Sequence, residues 1–109
     1  MPGYATVWGG GVASQVSMVQ QWPAITAAST TILAQDANRK YIAIQNNSSE
    51  GKNLRLNFQA AATVVSMRLQ PGQVWVPNAV PTDAINAMGE LAGTGAAILA
   101  NEVSVITGS

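Results

Sequence analysis

The chain has 109 residues, enough for one domain with a single modest core. Hydrophobic residues make up 48% and charged residues only 9%, with five basic and five acidic side chains giving a formal net charge of zero. That balance excludes a disordered polyelectrolyte and leaves no electrostatic footprint for nucleic acid, since Arg39-Lys40 is the only adjacent basic pair. With neither histidine nor cysteine, the commonest general base, the thiolate nucleophile, disulfides and most zinc sites are missing.

The missing charge is replaced by small neutral residues. A surface of that kind has little repulsion to keep copies apart, which favours self-association or burial against partners. No apolar run approaches the length of a membrane span, no basic amphipathic helix offers a membrane-surface anchor, and no signal peptide is expected.

Residues 1–22 differ from the rest. Tyr4-Ala5-Thr6-Val7-Trp8 fits a short strand, after which Gly9-Gly10-Gly11 interrupts regular structure. Between Val12 and Gln21 the apolar positions suit a helix and a strand about equally. The run is short, β-branched and uncapped, so an extended arm or edge strand is expected, with a flexible tail as the alternative. Trp8 and Trp22 need cover, supplied by their own domain or by a neighbouring subunit.

The compact domain is expected over 23–109. Ile25 and Ala27 alternate with Thr26 and Ala28, and Thr30-Thr31-Ile32-Leu33 is β-branched. Tyr41 to Gln45 alternates with Ile42 and Ile44 on one face, and Leu54-Arg55-Leu56-Asn57-Phe58 alternates again. The Asn- and Gly-containing loop between them predicts an antiparallel hairpin. Ala60-Ala61-Ala62 is too short to sustain a helix and reads as a loop or single turn.

Val65, Met67 and Leu69 alternate with polar residues, and Pro71-Gly72 predicts a turn into Gln73-Val74-Trp75-Val76 and hence a second hairpin. Trp75 is out of phase with Val74 and Val76, and the sequence leaves open which of the two faces is covered. A short strand from Ile85 to Met88 ended by Gly89, a turn at Gly93-Thr94-Gly95, a strand from Ala96 to Ala100, a turn at Asn101-Glu102 and a final strand from Val103 to Thr107 complete the chain. The expected core is Ile42, Ile44, Leu54, Leu56, Phe58, Val65, Met67 and Leu69. The expected fold is all-β: one small antiparallel β-sandwich or jelly roll of about eight short strands with an extended N-terminal arm.

Little in the sequence promises catalysis. The acids Asp36, Glu50, Asp83, Glu90 and Glu102 fall in expected turns or loop edges. Asp36 and Glu50 would approach one another only if their loops shared an end of the sandwich, so paired-carboxylate chemistry is not expected. Neither Gly-rich stretch makes a phosphate loop. No catalytic, cofactor-binding or metal-binding residue is assigned. Arg39, Lys40, Arg55 and Arg68 are too dispersed for an anion groove and are free to pair with Asp36 or Glu50 at modest surface value. Trp8, Trp22 and Trp75 are the aromatics open to a sugar-stacking role, with core or interface packing as their commoner fate.

Thr30-Thr31-Ile32-Leu33-Ala34, then Asn38-Arg39-Lys40-Tyr41-Ile42-Ala43-Ile44-Gln45-Asn46, Leu54-Arg55-Leu56-Asn57-Phe58 with Ala61-Ala62-Thr63, and Leu69-Gln70-Pro71-Gly72 follow in order. This order resembles small β-sandwich virion proteins of tailed bacteriophages, which serve as capsid decoration (cement) proteins and as head or tail accessory subunits. The likeness covers about residues 25–80, and the arm has no counterpart. It implies a non-enzymatic subunit on the outer surface of a virion, made in the host cytoplasm. The implied partners are the major capsid protein and further copies of the chain, as a dimer or trimer. Arms of this kind add strands to neighbouring sheets. Tyr4, Val7 and Trp8 are the expected partner contacts, with Trp22 as a hinge anchor. A tail, fibre or head-tail subunit and a glycan-binding module with an exposed Trp75 are the alternatives.

Overall fold

The computed structural model describes residues 17–109. They form nine strands and no helix: β1 (Met18–Gln21), β2 (Thr30–Leu33), β3 (Tyr41–Asn46), β4 (Asn53–Phe58), β5 (Met67–Leu69), β6 (Val74–Trp75), β7 (Ile85–Leu91), β8 (Thr94–Gly95) and β9 (Val103–Gly108). Every pairing is antiparallel. Two sheets result, one ordered β1-β9-β3-β6 and the other β2-β7-β4-β5, with β8 beside β7.

Period-two alternation explains the two layers. Ile42 and Ile44 from β3 and Val103 and Val105 from β9 point inward from the first sheet, and Leu54, Leu56, Leu69, Ile85 and Ala87 point inward from the second. All belong to one buried cluster, with Phe58, Met67 and Trp75 packed on its margin. Neither sheet buries its apolar face without the other, so the core is the seam between them. The pairings nest: β1 takes β9, β2 takes β7, β3 takes β6 and β4 takes β5. The chain is laid out as one long folded-back ribbon, rolled so that β9 also meets β3 and β7 meets β4.

Both expected hairpins are corrected by this arrangement. β3 and β4 do not pair; they lie in opposite sheets, and the loop between them is an arch across the core. The turn at Pro71-Gly72 forms as expected, with Gln73 N–H donating to Gln70 O at 2.9 Å and Gly72 at φ +90°. Its flanking strands β5 and β6 nevertheless enter different sheets. Alternation tells which face of a strand is buried and says nothing about which neighbour it pairs with.

The real hairpin is β7–β8, turned by Ala92 (φ 53°) and Gly93 (φ 83°) between the paired Leu91 and Thr94. Two consecutive positive φ values are the twist-matched type I′ geometry. β7 therefore runs through Gly89 rather than ending there. A Cβ at Gly89 would lie 1.8 Å from the carbonyl oxygen of Ala96, so the close passage of 96–98 over β7 requires glycine. Gly89→Ala is expected to cost about 2 kcal/mol by forcing that crossing apart, measured as a lower urea midpoint at unchanged m-value. Ala96 to Ala100 is not a strand, and only Ile98 bridges, to Ile25. Val65 leaves the expected core: it is 87% exposed in a turn where Ser66 N–H donates to Thr63 O.

Candidate interaction surface

The two sheets present opposite kinds of outer face. On the second sheet Asn53, Arg55 and Asn57 of β4 alternate outward beside Asn86, Met88 and Glu90 of β7, with Arg68 of β5 opposite Arg55. The buried Glu90 is the centre of this face. Its Oε1 accepts from Arg55 Nε and Nη2, each at 2.9 Å, and from Asn53 Nδ2 at 3.1 Å, while Oε2 accepts from Gly93 N–H at 2.7 Å. The Gly93 N–H foremost, then Asn53 and the Arg55 charge, hold its carboxyl below the ordinary carboxylate range against the opposing effect of desolvation.

A depressed folded-state pKa stabilises the fold above the unfolded-state value, and that contribution drains away as pH falls through the folded one. Thermal stability is therefore expected to fall on acidification below about pH 4.5, the ordinary value. Glu90→Gln should remove this part of the pH dependence while leaving the rest; calorimetry from pH 2 to 7 reads the difference.

The outer face of the first sheet carries no charge. Register places Met18 and Gln20 of β1, Ile106 of β9, Tyr41 and Gln45 of β3 and Val74 of β6 on it, with the small Ala43 and Ser104 between them. Gln20 Nε2 donates to Ser104 Oγ at 3.0 Å and fixes β1 flat across this face. All ten charged side chains lie elsewhere, on the second sheet or at the ends of the strands. Lys52 pairs with Glu50, Arg55 with Glu90, and Arg39 with neither Asp36 nor Glu50, its guanidinium being turned inward onto backbone carbonyls. Asp36 and Glu50 flank opposite ends of β3, about 20 Å of strand apart, so they do not form a carboxylate pair.

Of the residues expected at the partner contact, Tyr4, Val7 and Trp8 lie outside the described residues. Trp22 follows β1 directly and is 44% exposed. Met18 and Val19 near it are 53% and 52% exposed, so β1 is an edge strand of the first sheet whose apolar side chains no other described residue covers. Sequence reasoning did not single out Met18 and Val19 as contacts; their signal was an adjacent apolar pair in a short uncharged run leading to Trp22. Trp75, by contrast, turns inward, packs against the core and stacks on Phe58 with ring centroids 5.6 Å apart. Val74 and Val76 are the exposed side chains there. Trp75 is therefore not an exposed stacking platform, whereas Trp22 remains exposed.

No protein-family model matches the chain, no curated protein matches its sequence, and no solved structure matches its fold.

Proposed function

We propose that the chain is a structural virion subunit, a capsid decoration protein that binds the lattice of a major capsid protein and stabilises a phage head. The observation that carries this reading is the uncharged outer face of the first sheet, which includes the exposed Met18 on its β1 edge, with the exposed Trp22 just past that strand. A broad face without charge is suited to burial against protein, because no ion has to be desolvated on docking. The nested strand pairing supports the same reading. With β8 taken as an extension of the β7 hairpin, it is the order of a jelly roll, two interlocked Greek keys found in viral capsid and lectin domains. The Asn38-to-Asn46 block that resembles phage virion proteins is β3 with its lead-in, at the centre of this sheet. The expected contacts Tyr4, Val7 and Trp8 precede β1, the edge strand of this sheet, in the sequence.

Co-sedimentation with capsids lacking the protein tests the proposal, followed by electron cryo-microscopy of the mixture. Saturable binding at regular lattice positions is expected. Removing residues 1–16 should weaken that binding while the domain still folds. The deletion must stop there, because removing 1–22 would take away β1. A folded protein that ignores capsids would overturn the reading.

A further inference from the structure

The edge strands are β1 and β6 in the first sheet and β5, β2 and the two-residue β8 in the second, and all but β1 are blunted. β6 has two residues and runs into Val76-Pro77. β5 has three, with Arg68 in the middle and Pro71 just beyond. β2 is broken by a register shift between Thr31 and Leu33. Short length, charge, proline and bulges are the devices by which sheets prevent edge-to-edge pairing. β1 differs within its own length: Met18-Val19-Gln20-Gln21 is regular, uncharged and free of proline, and Pro23, two residues past its end, leaves Met18 to Gln20 unobstructed.

Its hydrogen-bonding phase follows from its first pair. Ser17 N–H donates to Ser109 O at 3.0 Å and Ser109 N–H returns to Ser17 O at 3.2 Å. In an antiparallel ladder such pairs alternate, so Val19 and Gln21 also bond to β9, opposite Thr107 and Val105. The N–H and C=O groups of Met18 and Gln20 consequently point away from β9, to a side on which no other described strand pairs.

We propose that β1 is a homodimer edge, pairing antiparallel with β1 of a second copy about a two-fold axis at Val19. Met18 of each copy then lies opposite Gln20 of the other, and the outward backbone groups of both satisfy each other. The pattern is self-complementary, as an isologous contact requires. It brings no like charges together, since the edge and the face beside it carry none. Val19 meets its own symmetry mate in a pair not bonded through the backbone, and the two four-stranded sheets join into one. Nothing in the pairing requires a virion, so it stands or falls separately from the decoration reading.

The mass of the full chain in sedimentation velocity, measured over a wide concentration range, is the first test; a dimer is expected. Gln20→Pro removes an N–H that β9 does not use, and proline is tolerated at such a position on an edge. This variant should sediment as a folded monomer, and so should Val19→Lys, which decides the matter if the proline variant does not fold. The chain has no cysteine, so Val19→Cys gives an unambiguous readout. Opposed positions in a pair of this type are within disulfide reach, and mild oxidation should link Val19→Cys completely into a covalent dimer, whereas Leu99→Cys, also exposed, should form no covalent dimer. A wild-type chain that is monomeric throughout overturns the proposal. So does a dimer that survives both Gln20→Pro and Val19→Lys. A monomer whose Met18 and Gln20 amides resist hydrogen exchange overturns it as well, and assigns the edge to the chain's own first sixteen residues.

Discussion

Replacing Asn46 by alanine is expected to lower the unfolding free energy by roughly 4 kcal/mol, an effect out of proportion to the size of the side chain. Asn46 is fully buried at the end of β3. Its Nδ2 donates to Lys52 O at 2.9 Å and Leu69 O at 2.8 Å, and its Oδ1 accepts Ser48 N–H at 3.0 Å. Its backbone takes the turn as well: Asn46 N–H donates to Gln73 O at 3.0 Å and Gly72 N–H to Asn46 O at 2.6 Å. One residue thus ties the β3–β4 arch to the β5–β6 arch where both cross from sheet to sheet. Truncation leaves two carbonyls and an amide without partners in a site closed to water, at about 1–3 kcal/mol for each group left unsatisfied.

Asn46→Asp makes a sharper test. A carboxylate would face the Lys52 and Leu69 carbonyls with no proton to offer. That variant's folded-state pKa would be raised, so its extra penalty is present at neutral pH and fades as pH falls and the acid protonates. Urea unfolding at pH 7 and at pH 4, followed for both variants, reads the two effects separately. A loss below about 1 kcal/mol for Asn46→Ala would mean that the arches do not depend on this residue.

The same residue shows where reading the sequence stops. Inward faces were legible: Ile42, Ile44, Leu54, Leu56 and Leu69 are all buried, because period-two alternation is a local property of the chain. Pairing was not legible, because a loop such as 47–52 has the composition of a hairpin whether its strands pair or part. What decides between the two is a long-range partner. β9 lies more than fifty residues from β3, yet it takes the edge that β4 would have used. The Pro71-Gly72 turn was legible for the reason that it is local. The outer faces fall between these cases. Their residues could be read off as polar or small, but the absence of charge from one whole face appears only once Tyr41, Ile106 and Met18 stand side by side. For the same reason Trp22 was singled out from sequence, whereas Met18 and Val19 gain their meaning from being on an edge.

Arg39 carries the second large prediction, at the opposite end of the strands. It precedes β3 in the block that resembles phage virion proteins, and its charge would ordinarily be read as a surface contact. Instead its guanidinium is buried, with Nη1 donating to Pro81 O at 2.7 Å and Asp83 O at 3.1 Å and Nη2 to Ala34 O at 2.8 Å. No carboxylate pairs with it among the described residues. The cation instead gathers three carbonyl oxygens from two loops, and Asp36 N–H, donating to Thr82 O at 2.8 Å, closes the same junction. Five fixed donors on a planar fork can serve several carbonyls at once; an ammonium on a flexible stem cannot hold the same set. Arg39→Lys is therefore expected to lose about 2 kcal/mol and Arg39→Ala about 3 kcal/mol, less than the number of bonds implies because the freed carbonyls of these loops regain water. Hydrogen exchange distinguishes a latch from general packing: the Asp36 amide should exchange faster in Arg39→Lys, while the amides of Ile44 and Leu56 keep their protection. Equal loosening of all three would place Arg39 in the global unfolding unit instead. A Lys variant as stable as the wild type would show that one carbonyl contact suffices.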